Sequence, residues 1–192
     1  MKSIILMGIK HCGKSTQGKL LSQKLDVPFY DTDSVIQEMT GKTPREIYTE
    51  GGETAFKKAE VEACLEVASR LKESNAVIAT GGGICNNPEA LSVLHKLGTF
   101  VFLQSSEKVA ADRICREART DENGKLTNLP AYIAKDNPST LAKVRELFHE
   151  FYEERVRLYA GIADISVRMD GPSGPCPKQV NTNRILASVK NL

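Results

Sequence analysis

GIKHCGKST, residues 8–16, is the stretch best equipped for chemistry. Gly8, Gly13, Lys14 and Ser15 fill every fixed position of G-x-x-x-x-G-K-[ST]. Phosphates need several backbone N–H donors aimed at one spot, and glycine lets the chain wrap that closely. A helix starting near Lys14 turns its positive end toward the anion. Lys14 reaches the β- and γ-phosphates and Ser15 ligates Mg²⁺, while Lys10, His11, Cys12 and Thr16 complete the loop around the nucleotide.

Asp31-Thr32-Asp33 follows the next short apolar segment. In an extended stretch positions 31 and 33 point the same way. One carboxylate then serves the Mg²⁺ shell while the other meets a substrate hydroxyl as base. The other reading is a helix N-cap for Ser34-Val35-Ile36, and one aspartate can do both. Gly81-Gly82-Gly83 follows a further apolar run. Three glycines cost more chain entropy than a simple turn requires, so close approach of a ligand explains them better.

The elements that must position these residues alternate. Apolar strands are expected over Ile4–Met7, Pro28–Tyr30, Ala76–Ala79, Phe100–Leu103 and Ala163–Val167. Helices are expected over Lys14–Leu25, Thr54–Leu71, Pro88–Leu97, Glu107–Ala118, Leu141–Tyr159 and Gln179–Leu192. Such alternation implies an α/β fold, a five-stranded parallel sheet with helices on both faces, which binds ligands at the carboxyl ends of its strands. Thr120–Pro130 is polar and aperiodic around Asn123-Gly124, and Asp170–Pro177 is a Pro/Gly loop.

The 192 residues suit one domain with a lid over about 114–130. A net charge of +2 argues against nucleic acid and anionic membranes as partners. No apolar run approaches the length of a membrane span. Cys12, Cys64, Cys85, Cys115 and Cys176 form no CxxC pair and read as reduced thiols of a cytoplasmic protein.

In this order the motifs resemble those of the shikimate kinases, from Met7 to about Val167. That family has a P-loop after strand one, Asp-x-Asp after strand two, Phe-Arg-x-x-Glu, Gly-Gly-Gly, and Arg-x-Pro-Leu-Tyr near its end. Phe56-Lys57-Lys58-Ala59-Glu60 stands at the third of these, and Arg155-Val156-Arg157-Leu158-Tyr159 at the last. The resemblance implies a P-loop kinase fold and transfer of the γ-phosphoryl of ATP to the 3-hydroxyl of shikimate. Asp33 would be the base and Lys14 would stabilise the moving phosphoryl. Ser15 and Asp31 would serve Mg²⁺, and Arg113 would lie near the adenine. Lys57, Gly81, Gly82, Gly83 and Arg155 would join Asp33 in holding shikimate. A monomer is expected. Lys57 replaces an arginine, and Leu129-Pro130 stands where the family's lid has Arg-Pro, with Arg116 or Arg119 as substitute cations. The alternatives are a kinase for another small hydroxy acid such as gluconate, or a relative that binds nucleotide without catalysis.

Overall fold

The computed structural model describes residues 2–72, 74–172 and 174–190. Along the chain, β1 (Ser3–Met7) turns through the phosphate loop into α1 (Lys14–Leu25). Next, β2 (Phe29–Asp31) passes directly into α2 (Thr32–Thr40), and α3 (Pro44–Leu71) returns to β3 (Val77–Ala79). A 3₁₀ turn at Ile84–Asn86 and α4 (Pro88–His95) lead to β4 (Gly98–Gln104) and α5 (Glu107–Glu117). A small hairpin of β5 (Arg119–Thr120) and β6 (Leu126–Thr127) and the short α6 (Ala131–Ala134) precede α7 (Leu141–Ile162). The chain continues through β7 (Ile165–Arg168), a hairpin of β8 (Asp170–Gly171) and β9 (Gly174–Pro175), and α8 (Lys178–Val189).

The main sheet is five-stranded and parallel, in the order β2-β3-β1-β4-β7. Helices cover both faces, so its inner strands are apolar without alternation: every residue of β1 and β3 is buried. Leu6 stands opposite Ala79 and Met7 opposite Phe102. The phosphate loop therefore leaves the central strand with a neighbour on each side, at the crevice where open α/β sheets bind ligands. From α7, Tyr159 is fully buried and stacks on Phe102 with centroids 5.2 Å apart.

Three local differences from the sequence reading matter for the site. First, α3 begins at Pro44 rather than Thr54. Thr43 and Glu46 form a capping box, and the helix bends at Gly52, whose φ is 70°. The Gly51-Gly52 pair interrupts the apolar period, which hides these first turns. Second, Asp33 is helical: α2 starts at Thr32, so alternation along a strand does not bring the two aspartates together. Third, the polar segment around Asn123-Gly124 and the Pro/Gly loop at 170–177 each carry a short hairpin. The last helix ends at Val189; the reading that extended it to Leu192 runs beyond the described residues.

Candidate active site

The phosphate loop owes its path to its glycines. Gly8 has φ 145°, and a Cβ there would lie 2.9 Å from both Cys12 Sγ and the Leu103 carbonyl oxygen. A side chain at that position would force the loop off β4. Gly13, at φ 108°, sets the start of α1, which aims its first N–H groups into the cleft. Lys14 is 9% exposed, and its Nζ donates to the carbonyl oxygens of Gly8 (2.8 Å) and Ile9 (3.1 Å). The ammonium is thus parked inside the loop, over the buried Cys12, whose Sγ is 4.0 Å away.

Ser15 Oγ donates to Asp31 Oδ2 at 2.6 Å. The other oxygen of Asp31 accepts from the Asp33 backbone N–H at 3.2 Å and caps α2. Asp31 therefore caps α2, as one of its two expected roles has it, and with its other oxygen holds the P-loop hydroxyl. Asp33, half-buried in the first turn of α2, faces the same cleft. Burial first, and then the Asp31 charge, raise its carboxyl above the ordinary value, while Lys14 and Lys10 pull it back. These residues share a cavity of about 980 Å³ whose lining includes Lys10, Asp33, Arg113, Lys135 and Arg155.

The glycine run forms the floor beneath Asp33. A Cβ on Gly81 would lie 2.9 Å from Asp33 Oδ1 and 3.1 Å from Glu60 Oε1, so no larger residue fits between the two acids. Gly82 and Gly83 line the cavity, and the Gly82 carbonyl accepts from the Tyr159 hydroxyl at 2.6 Å. Glu60 is 1% exposed; one oxygen accepts from Asn87 Nδ2 at 2.9 Å and the other has no partner among the described residues. Burial pushes this carboxyl up to about 7.

The cations fall into two sets. Arg113, on α5, donates to the His11 carbonyl at 2.6 Å and ties that helix to the phosphate loop. Arg155, on α7, directs Nη1 to Cys85 Sγ at 2.9 Å and lays its guanidinium 4.6 Å from the centroid of the Phe151 ring. Its Nε is buried without a partner among the described residues. Phe151 in turn stacks on Tyr132 of α6, which ties the Arg155 wall to the segment beyond the lid hairpin. Lys57 sits elsewhere: its ammonium pairs with Glu53 at 2.7 Å, and it is not among the cavity's described lining residues. Leu129 is buried at 2% exposure on the cavity wall. Arg116 lines the cavity, whereas Arg119 donates to the carbonyls of Arg116 and Ala118.

The sequence reading did not single out Arg45, Tyr48, Tyr132, Lys135 or Lys178, all of which line the cavity. For Arg45 and Tyr48 a signal was present, since Thr43-Pro44-x-Glu46 is a helix start. For the others, only the tertiary fold brings them in.

A parallel sheet with a phosphate loop at its crevice, one acid at the end of the next strand and a second in the first turn of the helix after it defines a P-loop phosphotransferase. A family model described as Shikimate kinase matches residues 10–187. The chain is 32% identical to the shikimate kinase of Aquifex aeolicus, over 92% of each chain. Among solved structures, it resembles a shikimate kinase from Acinetobacter baumannii in complex with shikimate, with a TM-score of 0.75 and 26% identity, over 100% of this chain and 94% of that one. It also resembles the Bacteroides thetaiotaomicron shikimate kinase, with a TM-score of 0.78 and 27% identity, over 100% and 99%. The chain belongs to the shikimate kinase family.

Proposed function

We propose that the protein transfers the γ-phosphoryl group of ATP to the 3-hydroxyl of shikimate. One observation carries this reading: Asp33, Lys14 and Arg155 converge on a single cavity, floored by the glycine run and entered from the phosphate loop. Asp33 accepts the hydroxyl proton as the oxygen attacks phosphorus, and the bond to the leaving ADP oxygen breaks. Lys14 leaves the carbonyls of Gly8 and Ile9 for the phosphate oxygens and balances charge on the transferring group. The loop from Gly8 to Thr16 supplies N–H donors to the β- and γ-phosphates. Arg113 holds α5 beside the nucleotide through His11. Arg155, pre-aligned by Phe151 and Cys85, faces the acid's carboxylate.

The residues present fit a magnesium ion. Ser15 Oγ and Asp31 Oδ2 are hard oxygen donors 2.6 Å apart, beside the phosphate loop. When bound there, Mg²⁺ would neutralise charge on the β- and γ-phosphates, with Asp31 reaching it through water. The segment over about 114–130 acts as a lid that excludes water. The loop, the base and Arg155 of a single chain line one cavity, and we take the monomer as the active unit. Among the described residues no helix is long and apolar enough to cross a membrane, and the five cysteines are free. We place the protein in the cytoplasm on the thiols.

The test is ADP release from ATP and Mg²⁺ with and without shikimate. Stimulation by shikimate, with the 3-phosphate as product, is the expected result. Turnover unchanged by shikimate while gluconate stimulates it would replace the acceptor. ATP binding with no turnover on either would mark a non-catalytic relative.

A further inference from the structure

Two cations of the cavity wall stand outside every ion pair among the described residues. Lys10 comes from the phosphate loop and Arg45 from the first turn of α3, and both line the cavity that contains Asp33. The acids that might have neutralised Arg45 are engaged elsewhere. Glu46 closes the capping box on the Thr43 N–H and hydroxyl, Glu50 pairs with Lys42, and Glu53 pairs with Lys57. Among the described residues neither Lys10 nor Arg45 takes part in an ion pair.

The two also feel each other. Burial first, then the charges of Arg45 and Lys14, lower the Lys10 ammonium from its ordinary value, with Asp33 pulling the opposite way. Both residues are exposed at the cavity rim, where two like charges oppose each other until an anion enters between them. Their position suits one anion in particular. The Lys10 backbone passes over Gly82, within 3.4 Å of where a Cβ would stand, so its side chain starts on the rim above the glycine floor and near Asp33. In shikimate the carboxylate is carried two ring carbons from the 3-hydroxyl, so a cation near the base also reaches the carboxylate. Lys57, by contrast, is turned out to Glu53.

Building on the proposed function above, we propose that Lys10 and Arg45 form the subsite for the acceptor's carboxylate, in the place that family resemblance assigns to Lys57. Arg155 completes the subsite from the opposite wall. The chain thus reads its acid from the phosphate-loop side as well as from α7, and the missing arginine at position 57 is compensated by two cations from other elements.

The experiment is steady-state kinetics with ATP, Mg²⁺ and either shikimate or its methyl ester, for the unmodified protein and for Lys10→Met, Arg45→Gln and Lys57→Ala. Thermal melts check that each variant is folded. Lys10→Met and Arg45→Gln should each raise the KM for shikimate about ten- to a hundredfold, and the KM for ATP far less, since Lys10→Met keeps the backbone N–H that the loop offers the nucleotide. The ester should be a correspondingly poorer acceptor for the unmodified protein. On the ester the two substitutions should cost little more, because their charge partner is already gone. A larger loss from Lys57→Ala than from either variant would overturn the subsite. Equal losses on acid and ester would also overturn it, by making Lys10 and Arg45 nucleotide contacts. If the unmodified protein uses shikimate but both variants match it, only this subsite falls. If the unmodified protein does not use shikimate at all, the proposed function falls and takes the subsite with it.

Discussion

On the nucleotide side of the cleft the charged groups are held by the chain itself. Lys14 lies on two loop carbonyls, Arg113 on a third, and the Ser15 hydroxyl on Asp31. On the acceptor wall, among the described residues, Lys10 and Arg45 form no ion pair, Arg155 rests on a thiol and an aromatic face, and Glu60 keeps one oxygen unpartnered. The first region is preorganised by backbone geometry that a fixed pattern of residue types dictates. The second is built from side chains drawn from α3, α7 and the loop. On the proposed subsite, this contrast would let position 57 lose its arginine while the glycine and P-loop positions keep the residue types of the family pattern.

The harshest way to break the comparison is on the nucleotide side. Lys14→Ala should lower kcat on the order of a thousandfold while the protein stays folded, because no other buried cation stands in the loop. Coupled measurement of ADP release, with circular dichroism for folding, checks this. Near-normal turnover would mean that the loop does not handle the transferred phosphate. The two aspartates come next. Asp33→Asn should lose turnover roughly a hundred- to ten-thousandfold with nucleotide binding nearly intact. Asp31→Asn should instead demand more Mg²⁺, since it removes the partner of Ser15. Identical Mg²⁺ dependence in both variants would undo that division of roles.

How much of this is readable without coordinates depends on what places each residue. Gly8 to Ser15 is a local backbone device, so its type and order predict its shape, and α1 starts and ends at Lys14 and Leu25 as expected. Asp31 was legible as a cap or as a metal-side acid, and the structure shows its side chain serving the cap and Ser15 together. Lys57 was matched by position in a motif, but an i,i+4 carboxylate at Glu53 lies on the exposed side of the same helix and takes the ammonium. Arg45 was passed over, although Thr43-Pro44-x-Glu46 marks a helix start, because Gly51-Gly52 breaks the apolar period that would have extended α3 backward. The stack of Tyr132 on Phe151 joins two helices, and no spacing rule reports it.

The acceptor wall can be probed through its buried acid. Glu60 titrates at about 7 in the folded protein because burial disfavours the carboxylate, against an ordinary value of 4.5. A raised folded value means that the native state binds the proton more tightly than the unfolded chain does. The resulting stabilisation is fully present below about pH 4.5 and is lost as pH rises through about 7. Glu60→Gln has no such proton to lose. Relative to the unmodified protein, it should gain about 2–3 kcal/mol in unfolding free energy between pH 5 and pH 8. Urea titrations at the two pH values measure this. A pH-independent difference would show that Glu60 is charged and solvated, and would remove the contrast between a wired loop and a buried, underpartnered wall.

The smallest effect belongs to the lid. Asp121 organises its hairpin: its Oδ1 accepts from the N–H groups of Asn123 and Lys125, and Gly124 N–H donates to its carbonyl at 3.0 Å. Gly124 holds φ 77° with open space where a Cβ would go, so Gly124→Ala meets strain but no clash. An L-residue in that conformation costs roughly 1–2 kcal/mol. The hairpin strands are only two residues long, and Arg119 and Thr120 are exposed, so the cost should stay local. Hydrogen exchange over residues 119–127 should accelerate several-fold without ligand, and the shikimate KM should rise about twofold, with the melting temperature almost unmoved. If the melting temperature instead fell as far as for a core substitution, the hairpin would belong to the cooperative body of the protein. The acceptor wall would then be as tightly wired as the phosphate loop, and a lid that closes by local ordering would have to be abandoned.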